Sequence, residues 1–208
     1  MFHLATKEYY FFSNKNMKLD LRFTTRYLEN IWCHTVVALM FQEPVCRGDG
    51  LSGLDVKILG YLTYLWDKDF WKGVGGETLL VASQNMIKAD KILIKGLGAH
   101  SDYSMNVFIA RIKETGKALE KMNTNDIGIR IPVVTGSEPE YPAQLEAACL
   151  NIVDPFLRRY KDDPEFILKL VVSVNAAFTG ELESLTRILR KSFSSKLHYT
   201  IIIDNEKP

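Results

Sequence analysis

Between residues 91 and 204, short runs rich in aliphatic and β-branched residues alternate with longer stretches of helical period. The short runs are KILIKG (91–96), DIGIRIPVV (126–134), LKLVVSVN (168–175) and LHYTIIID (197–204). Strands that alternate with helices indicate an α/β sandwich built on a largely mixed sheet. From Asp102 to Asn123 the apolar residues Phe108, Ile112, Leu119 and Met122 share one face, while Arg111, Lys113, Lys117 and Lys121 fall largely elsewhere. That is an amphipathic surface helix. Pro142 suits the first turn of the next helix, which continues through Leu145, Cys149, Ile152 and Phe156. Pro155 is expected to kink or restart it, with Asp154 available as a cap. Residues 179–193 predict a last helix through Leu182, Leu185, Ile188 and Leu189, with Thr179 as its N-cap.

Upstream, EYYFF (8–12) and MKLDLRF (17–23) read as strands separated by the turn-prone stretch 13–16. In the second, Met17, Leu19, Leu21 and Phe23 alternate with Lys18, Asp20 and Arg22, the pattern of a sheet with one wet face. CHTVVALMF (33–41) is apolar almost throughout, as a central strand covered on both faces would be. The polar loop EPVCRGDGLSG (43–53) leads into one helix predicted over 51–66, where Leu54, Ile58, Leu62 and Leu65 recur. WKGVGG breaks the pattern, and ETLLVAS and KILIKG follow as strands connected around Asn85. No repeat or linker divides the 208 residues, so a single domain is expected, with 1–16 as an N-terminal extension or edge strand.

The formal charge of +1 comes with no basic stripe, which argues against a nucleic-acid partner. No window has the apolar length of a membrane span, and the N-terminus lacks the basic region of a signal peptide. Cys33, Cys46 and Cys149 stand at unrelated spacings, as reduced thiols of a cytoplasmic protein would.

Two loops invite a ligand. Gly96-Leu97-Gly98 follows a strand, but Ser101 replaces the third glycine of a dinucleotide fingerprint and no acid closes a second strand. Its glycines read as turn geometry. VVTGSEPEYP (133–142) also ends a strand, and Thr135, Gly136 and Ser137 offer hydroxyl and amide groups where open α/β sheets bind ligands. Glu138 and Glu140 would repel a phosphate there unless they point away, and an ordered surface loop is the plainer reading. The histidines have no metal-ligand spacing. Neither a nucleophile elbow nor a Walker lysine is present. Cys149 falls on an apolar helix face and reads as core. Asp49 and Asp55 read as a loop charge and an early-helix charge.

The run GYLTYLWDKDFWKGVGGETLLVASQNMIKADKILIKGLG (60–98) resembles the N-terminal domain of the cytosolic leucine aminopeptidase family. Phe70, Lys72, Gly73, Gly76, Glu77, Thr78 and the triplet Gly96-Leu97-Gly98 carry the likeness, and Gly116-Lys117-Ala118-Leu119 and Ile131-Pro132 continue it. That domain is similar in fold to macro domains, the ADP-ribose-binding modules. The stretch 129–157 is likewise macro-like: a strand, a small-residue loop, a proline and a helix. The resemblance implies a three-layer α/β/α sandwich with a mixed sheet.

The family's two-metal site, catalytic lysine and arginine belong to its C-terminal domain, and no segment here resembles that domain's ligand motifs. Peptidase activity, a metal and a cofactor are therefore not expected. The glycine-rich loop of macro domains is replaced by EPVCRGDGLSG, and Glu138-Pro139-Glu140 stands where small residues would be expected.

The resemblance thus implies a stand-alone, non-catalytic module for structure, oligomerisation or partner docking, with a homo-oligomer or another protein as partner. The alternative is a binder of ADP-ribose, a nucleotide or another phosphorylated small molecule. Its cleft would be lined by Asp49, Gly50, Ser52, Thr135, Gly136 and Ser137, with Phe178 supplying either an aromatic face for a base or a plain core contact. A hydrolase acting through Asp49 is a further, lesser reading.

Overall fold

The alternation in MKLDLRF becomes strand β1 (Lys18–Thr24), with Leu19, Leu21 and Phe23 buried and Lys18 and Arg22 in solvent. The computed structural model describes residues 16–43 and 51–204; the run 8–12, Cys46, Asp49 and Gly50 lie outside them. β2 (Thr35–Phe41) is buried at all seven positions, as a strand covered on both faces must be. β3 (Thr78–Ala82), β4 (Lys91–Gly98), β5 (Asp126–Arg130), β6 (Ile167–Ser173) and β7 (His198–Asp204) complete a seven-stranded sheet in the order β3-β4-β2-β5-β6-β1-β7. β3 runs antiparallel to β4 and every other pairing is parallel, so the sheet is mixed.

The two faces of β2 belong to different cores. Val37, Leu39 and Phe41 face α3 (Met105–Lys121), α4 (Tyr141–Tyr160) and α5 (Leu182–Phe193), in a cluster with Phe108, Ile112, Cys149, Ile152 and Leu189. Val36, Ala38 and Met40 face α1 (Ser52–Lys57) and α2 (Tyr61–Asp67), with Leu54, Leu62, Leu65 and Trp71. This is the expected three-layer α/β/α sandwich.

Local expectations need correction at several points. The helix predicted over 51–66 is two helices, because Leu59 and Gly60 both adopt left-handed backbone (φ +60° and +74°). The buried Asp55 carboxylate bridges the break, accepting from the Leu62 N–H at 2.7 Å and from the Thr63 hydroxyl. It is a cap for α2 and not the plain early-helix charge expected.

Strand β5 stops at Arg130, since Pro132 has no N–H to continue a ladder. α4 runs unbroken past Pro155, and Asp154 pairs with Arg158 at 2.8 Å instead of capping a restart. Finally, the helix expected over 179–193 begins as a 3-10 turn (Ala176–Glu181), capped by the Asn175 side chain, which accepts from the Ala177 N–H at 3.0 Å. Among the described residues no helix is long and apolar enough to cross a membrane.

Candidate functional site

Parallel strands bring their carboxyl ends to one rim. Here the chain leaves β2 at Gln42 and Glu43, β4 at Ala99, β5 at Ile131 and β6 at Val174, all on the same side of the sheet. Tyr141, at the start of α4, ties two of these exits together. Its hydroxyl donates to the Ile131 carbonyl at 3.4 Å and accepts from the Asn175 N–H at 3.1 Å. Burial pushes that hydroxyl's pKa up, against the opposing hydrogen bond from Asn175. Phe178 packs on the same ring at 4.5 Å and is half-buried. The loop 133–140 and Phe178 therefore meet the rim on either side of Tyr141.

Ser52 stands exposed in the first turn of α1, beside Gly53, whose Cα lies against the Glu29 carboxylate.

The anion-binding capacity of the rim is largely used by the protein itself. Within the Thr135-Gly136-Ser137 loop, Glu138 turns back and accepts the Gly136 N–H at 2.7 Å. A phosphate would have to displace this carboxylate. At the other loop, the Gly98 N–H donates to the Gly73 carbonyl at 3.0 Å and the Gly96 N–H to the Glu77 carbonyl at 2.9 Å. A Cβ on Gly96 would lie 2.2 Å from the Val74 carbonyl oxygen. The Gly-Leu-Gly motif thus exists so that the WKGVGG turn can lie directly on β4.

Two polar groups at the rim are buried and without a partner among the described residues: the Gln144 amide and the Tyr103 hydroxyl. Burial, reinforced by the charge of Glu140, pushes the Tyr103 hydroxyl up and keeps it a neutral donor. Nearby, Phe41 stacks on His100 at 3.7 Å, and Glu43 holds the His100 ring at 2.7 Å. Burial would raise the Glu43 carboxyl, but the backbone and ring hydrogen bonds of His100 outweigh it and hold it low. The sequence reading missed Gln144. Its signal was a polar residue on the stripe Leu145, Ala148, Cys149 and Ile152 of α4.

A second surface lies across the sheet. Leu59 at the α1–α2 break, Tyr61 and Tyr64 on α2 and Phe70 just beyond it project outward, while Leu62 and Leu65 of the same helix are buried. Tyr61, Tyr64 and Phe70 form a chain of rings spaced 6.4 and 6.3 Å apart. Beside them the edge of β3, unpaired among the described residues, completes a groove of about 680 Å³, lined by Ile58, Leu59, Tyr61, Tyr64, residues 79–84 and Met86. The signal in the sequence was apolar residues on two faces of one short helix.

Below β3, the buried Lys95 ammonium clamps the hairpin to α3. It donates to the Gly76 carbonyl at 2.7 Å and pairs with Glu114 at 2.7 Å, and Arg111 holds the other oxygen of that carboxylate.

Comparison with known proteins bears on the fold and on the family. The probable cytosol aminopeptidase of Alkaliphilus oremlandii is 24% identical over 173 residues, 81% of this chain and 34% of that protein. That of Nitrosomonas eutropha is 31% identical over 94 residues, 45% of this chain and 19% of that protein. The chain thus spans about a third or less of these curated relatives. In structure it resembles a tomato leucine aminopeptidase variant (TM-score 0.59, 14% identity, 81% of this chain, 35% of that one). The macro domain of ganglioside induced differentiation associated protein 2 is similar over about four fifths of each chain (TM-score 0.61, 13% identity, 80% and 82%). An Oceanobacillus iheyensis macrodomain variant matches with a TM-score of 0.59 at 9% identity, over 83% of this chain and 93% of that one. These likenesses show a macrodomain-like fold. A model of the N-terminal domain of the cytosol aminopeptidase family matches residues 36–155, from the central strand to the proline of α4. With more than half of its length under that model, the chain belongs to the cytosol aminopeptidase family, of which it carries the N-terminal domain.

Proposed function

We propose that these 208 residues act as a docking module whose working surface is the apolar groove between α2 and β3. One observation carries this reading: the ring series Tyr61, Tyr64 and Phe70 and the side chain of Leu59 stand in solvent beside an open strand edge. Contiguous exposed apolar surface on this scale marks interaction sites in soluble proteins.

Leu59 sharpens the argument. It holds left-handed backbone, which costs a leucine roughly 1–2 kcal/mol, yet 82% of it is exposed. Such strain with no burial to offset it is expected where a residue is being presented to something else. Light scattering on the purified chain, joined to capture from its native lysate, tests the reading. Association lost in Leu59→Glu and Tyr64→Glu variants that fold normally is the expected result. A strict monomer that retains no protein overturns it.

A second reading has its own support. The unpartnered Gln144 amide and Tyr103 hydroxyl at the rim are the kind of groups a ligand satisfies, and the macro-like resemblance implies ADP-ribose or a nucleotide. Calorimetry and thermal shift with ADP-ribose and mononucleotides test it, since a ligand of the native state must raise its stability. No shift at millimolar ligand removes this reading. A shift abolished by Gln144→Leu supports it.

A further inference from the structure

The partner for the α2–β3 groove can be specified, and the inference rests on the docking reading above. We infer that the groove is filled by a second copy of this chain, paired edge to edge through β3 about a two-fold axis at Leu80.

The backbone sets the register. The Ser83 N–H donates to the Asp90 carbonyl and the Gly96 N–H to the Glu77 carbonyl, in the antiparallel register that pairs Leu80 with Leu93. Residues in such a ladder alternate between bonding their neighbour and facing away from it. Leu79 and Val81 therefore bond β4, and the amide and carbonyl groups of Thr78, Leu80 and Ala82 point outward. An antiparallel copy centred on Leu80 bonds Leu80 to itself and Thr78 to Ala82 of the other copy.

This edge also lacks the guards that keep strand edges apart, namely lysine, proline, a bulge or an inward charge. Its sequence, TLLVA, carries none of them. The opposite edge, β7, ends in Asp204, which pairs with Arg26.

Charge and area favour a copy of the same chain. A two-fold interface sets each residue near its own kind, so like charges would meet. None of the residues lining the groove is charged, and Lys72, two residues beyond Phe70, is taken up by Asp69 at 2.8 Å and by the Trp66 ring at 3.8 Å. A foreign partner selected by charge would have nothing here to read. The exposed parts of Leu59, Tyr61, Tyr64, Phe70, Leu80 and Met86 amount to roughly 650 Å², close to the ~800 Å² that each partner brings to a standard interface. The aromatic residues supply its anchors, as they do at most interfaces.

The test uses the full chain. Sedimentation velocity is expected to show a dimer of the 23.7 kDa protein. Leu80→Pro removes only an outward N–H, a position that tolerates proline in an edge strand, and is expected to give a folded monomer. Should that variant fail to fold, Leu80→Lys sets like charges on the axis and serves in its place. Tyr64→Glu is expected to weaken the dimer roughly 30-fold or more, the loss typical of an anchor residue.

With Cys46 replaced by Ser, Leu80→Cys is expected to cross-link on mild oxidation. Residues opposed in a hydrogen-bonded pair sit about 5.5 Å apart at Cα, within disulfide reach. Thr78→Cys, roughly 13 Å from its counterpart along the strand, is not expected to cross-link. A dimer that survives both Leu80 variants overturns this pairing and leaves the docking reading standing, since association would then use another face. A strict monomer at ~100 µM, well above the Kd of a stable dimer, also overturns it. In that case the docking reading survives only if a captured partner is lost in folded Tyr64→Glu.

Discussion

Gly96 and Gly136 look alike in the sequence, each closing an apolar run, yet one lies within β4 and the other beyond β5, and they answer to different constraints. At Gly96 a methyl group would meet the Val74 carbonyl at 2.2 Å, backbone against backbone, whereas nothing lies within 4 Å of the corresponding point on Gly136. Gly96→Ala is expected to lower unfolding free energy by roughly 1–3 kcal/mol, the cost of overpacking a close contact. Gly136→Ala bears only the left-handed penalty of φ +87°, about 1–2 kcal/mol. Denaturant titration of the two variants checks the ordering. That Gly96 serves a turn was legible from the missing third glycine. That Glu138 folds back onto Gly136 was not, because composition does not say which way a loop carboxylate turns. Gln144 stayed invisible for a related reason: only the assembled rim shows that its amide has no partner.

Between elements, the clamp from β4 to α3 is the most exposed to a change of conditions. Burial would raise the Glu114 carboxyl, but Lys95 and Arg111 outweigh it through hydrogen bonds and charge and hold it below the usual carboxylate range. A carboxylate with its pKa depressed in the folded state adds stability above its unfolded value, about 4.3, and loses it as pH falls through the folded value. The wild-type chain is therefore expected to lose stability more steeply in acid than Glu114→Gln. Thermal melts between neutral pH and the acid side of the carboxylate range measure this.

The contact of α3 with α4 depends on a different economy of atoms. Pro155 has no N–H to offer the Asn151 carbonyl one turn earlier, and that oxygen lies where a Cβ on Gly116 would approach it at 2.7 Å. Gly116→Ala is expected to separate the helices at a cost of roughly 1–3 kcal/mol, readable by denaturant titration. The helices themselves were legible from their period. The break at Leu59 was not, because the stripe Leu54, Ile58, Leu62 and Leu65 runs straight across it.

For the whole molecule, a dimer closed by an uncharged groove has a distinctive response to solvent. Surface charge interactions are screened by salt, whereas apolar contacts weaken on cooling. Self-association is expected to change less than about twofold between low and moderate salt, and to weaken in the cold. Analytical ultracentrifugation across salt and temperature checks both. The class of the fold was legible because strand and helix alternate. The order of the strands was not, since each strand's pattern states which faces are wet and says nothing about which strand lies beside it.

β1 shows what that order entails for a chain made from one end. It lies between β6 and β7, so its partners Leu168 and Tyr199 lie far along the chain from Leu19. A ribosome adding about 5–20 residues per second delivers those partners only after the hairpin β3–β4 and helices α3 and α4 have been made. During that interval Leu19, Leu21 and Phe23 have neither β6 nor β7 to pair with. Ribosome-bound fragments ending before β6 should leave β1 open to proteases and to trigger-type chaperones, and protection should arrive with the last strands. A strand made before either of its partners is among the last to find its place.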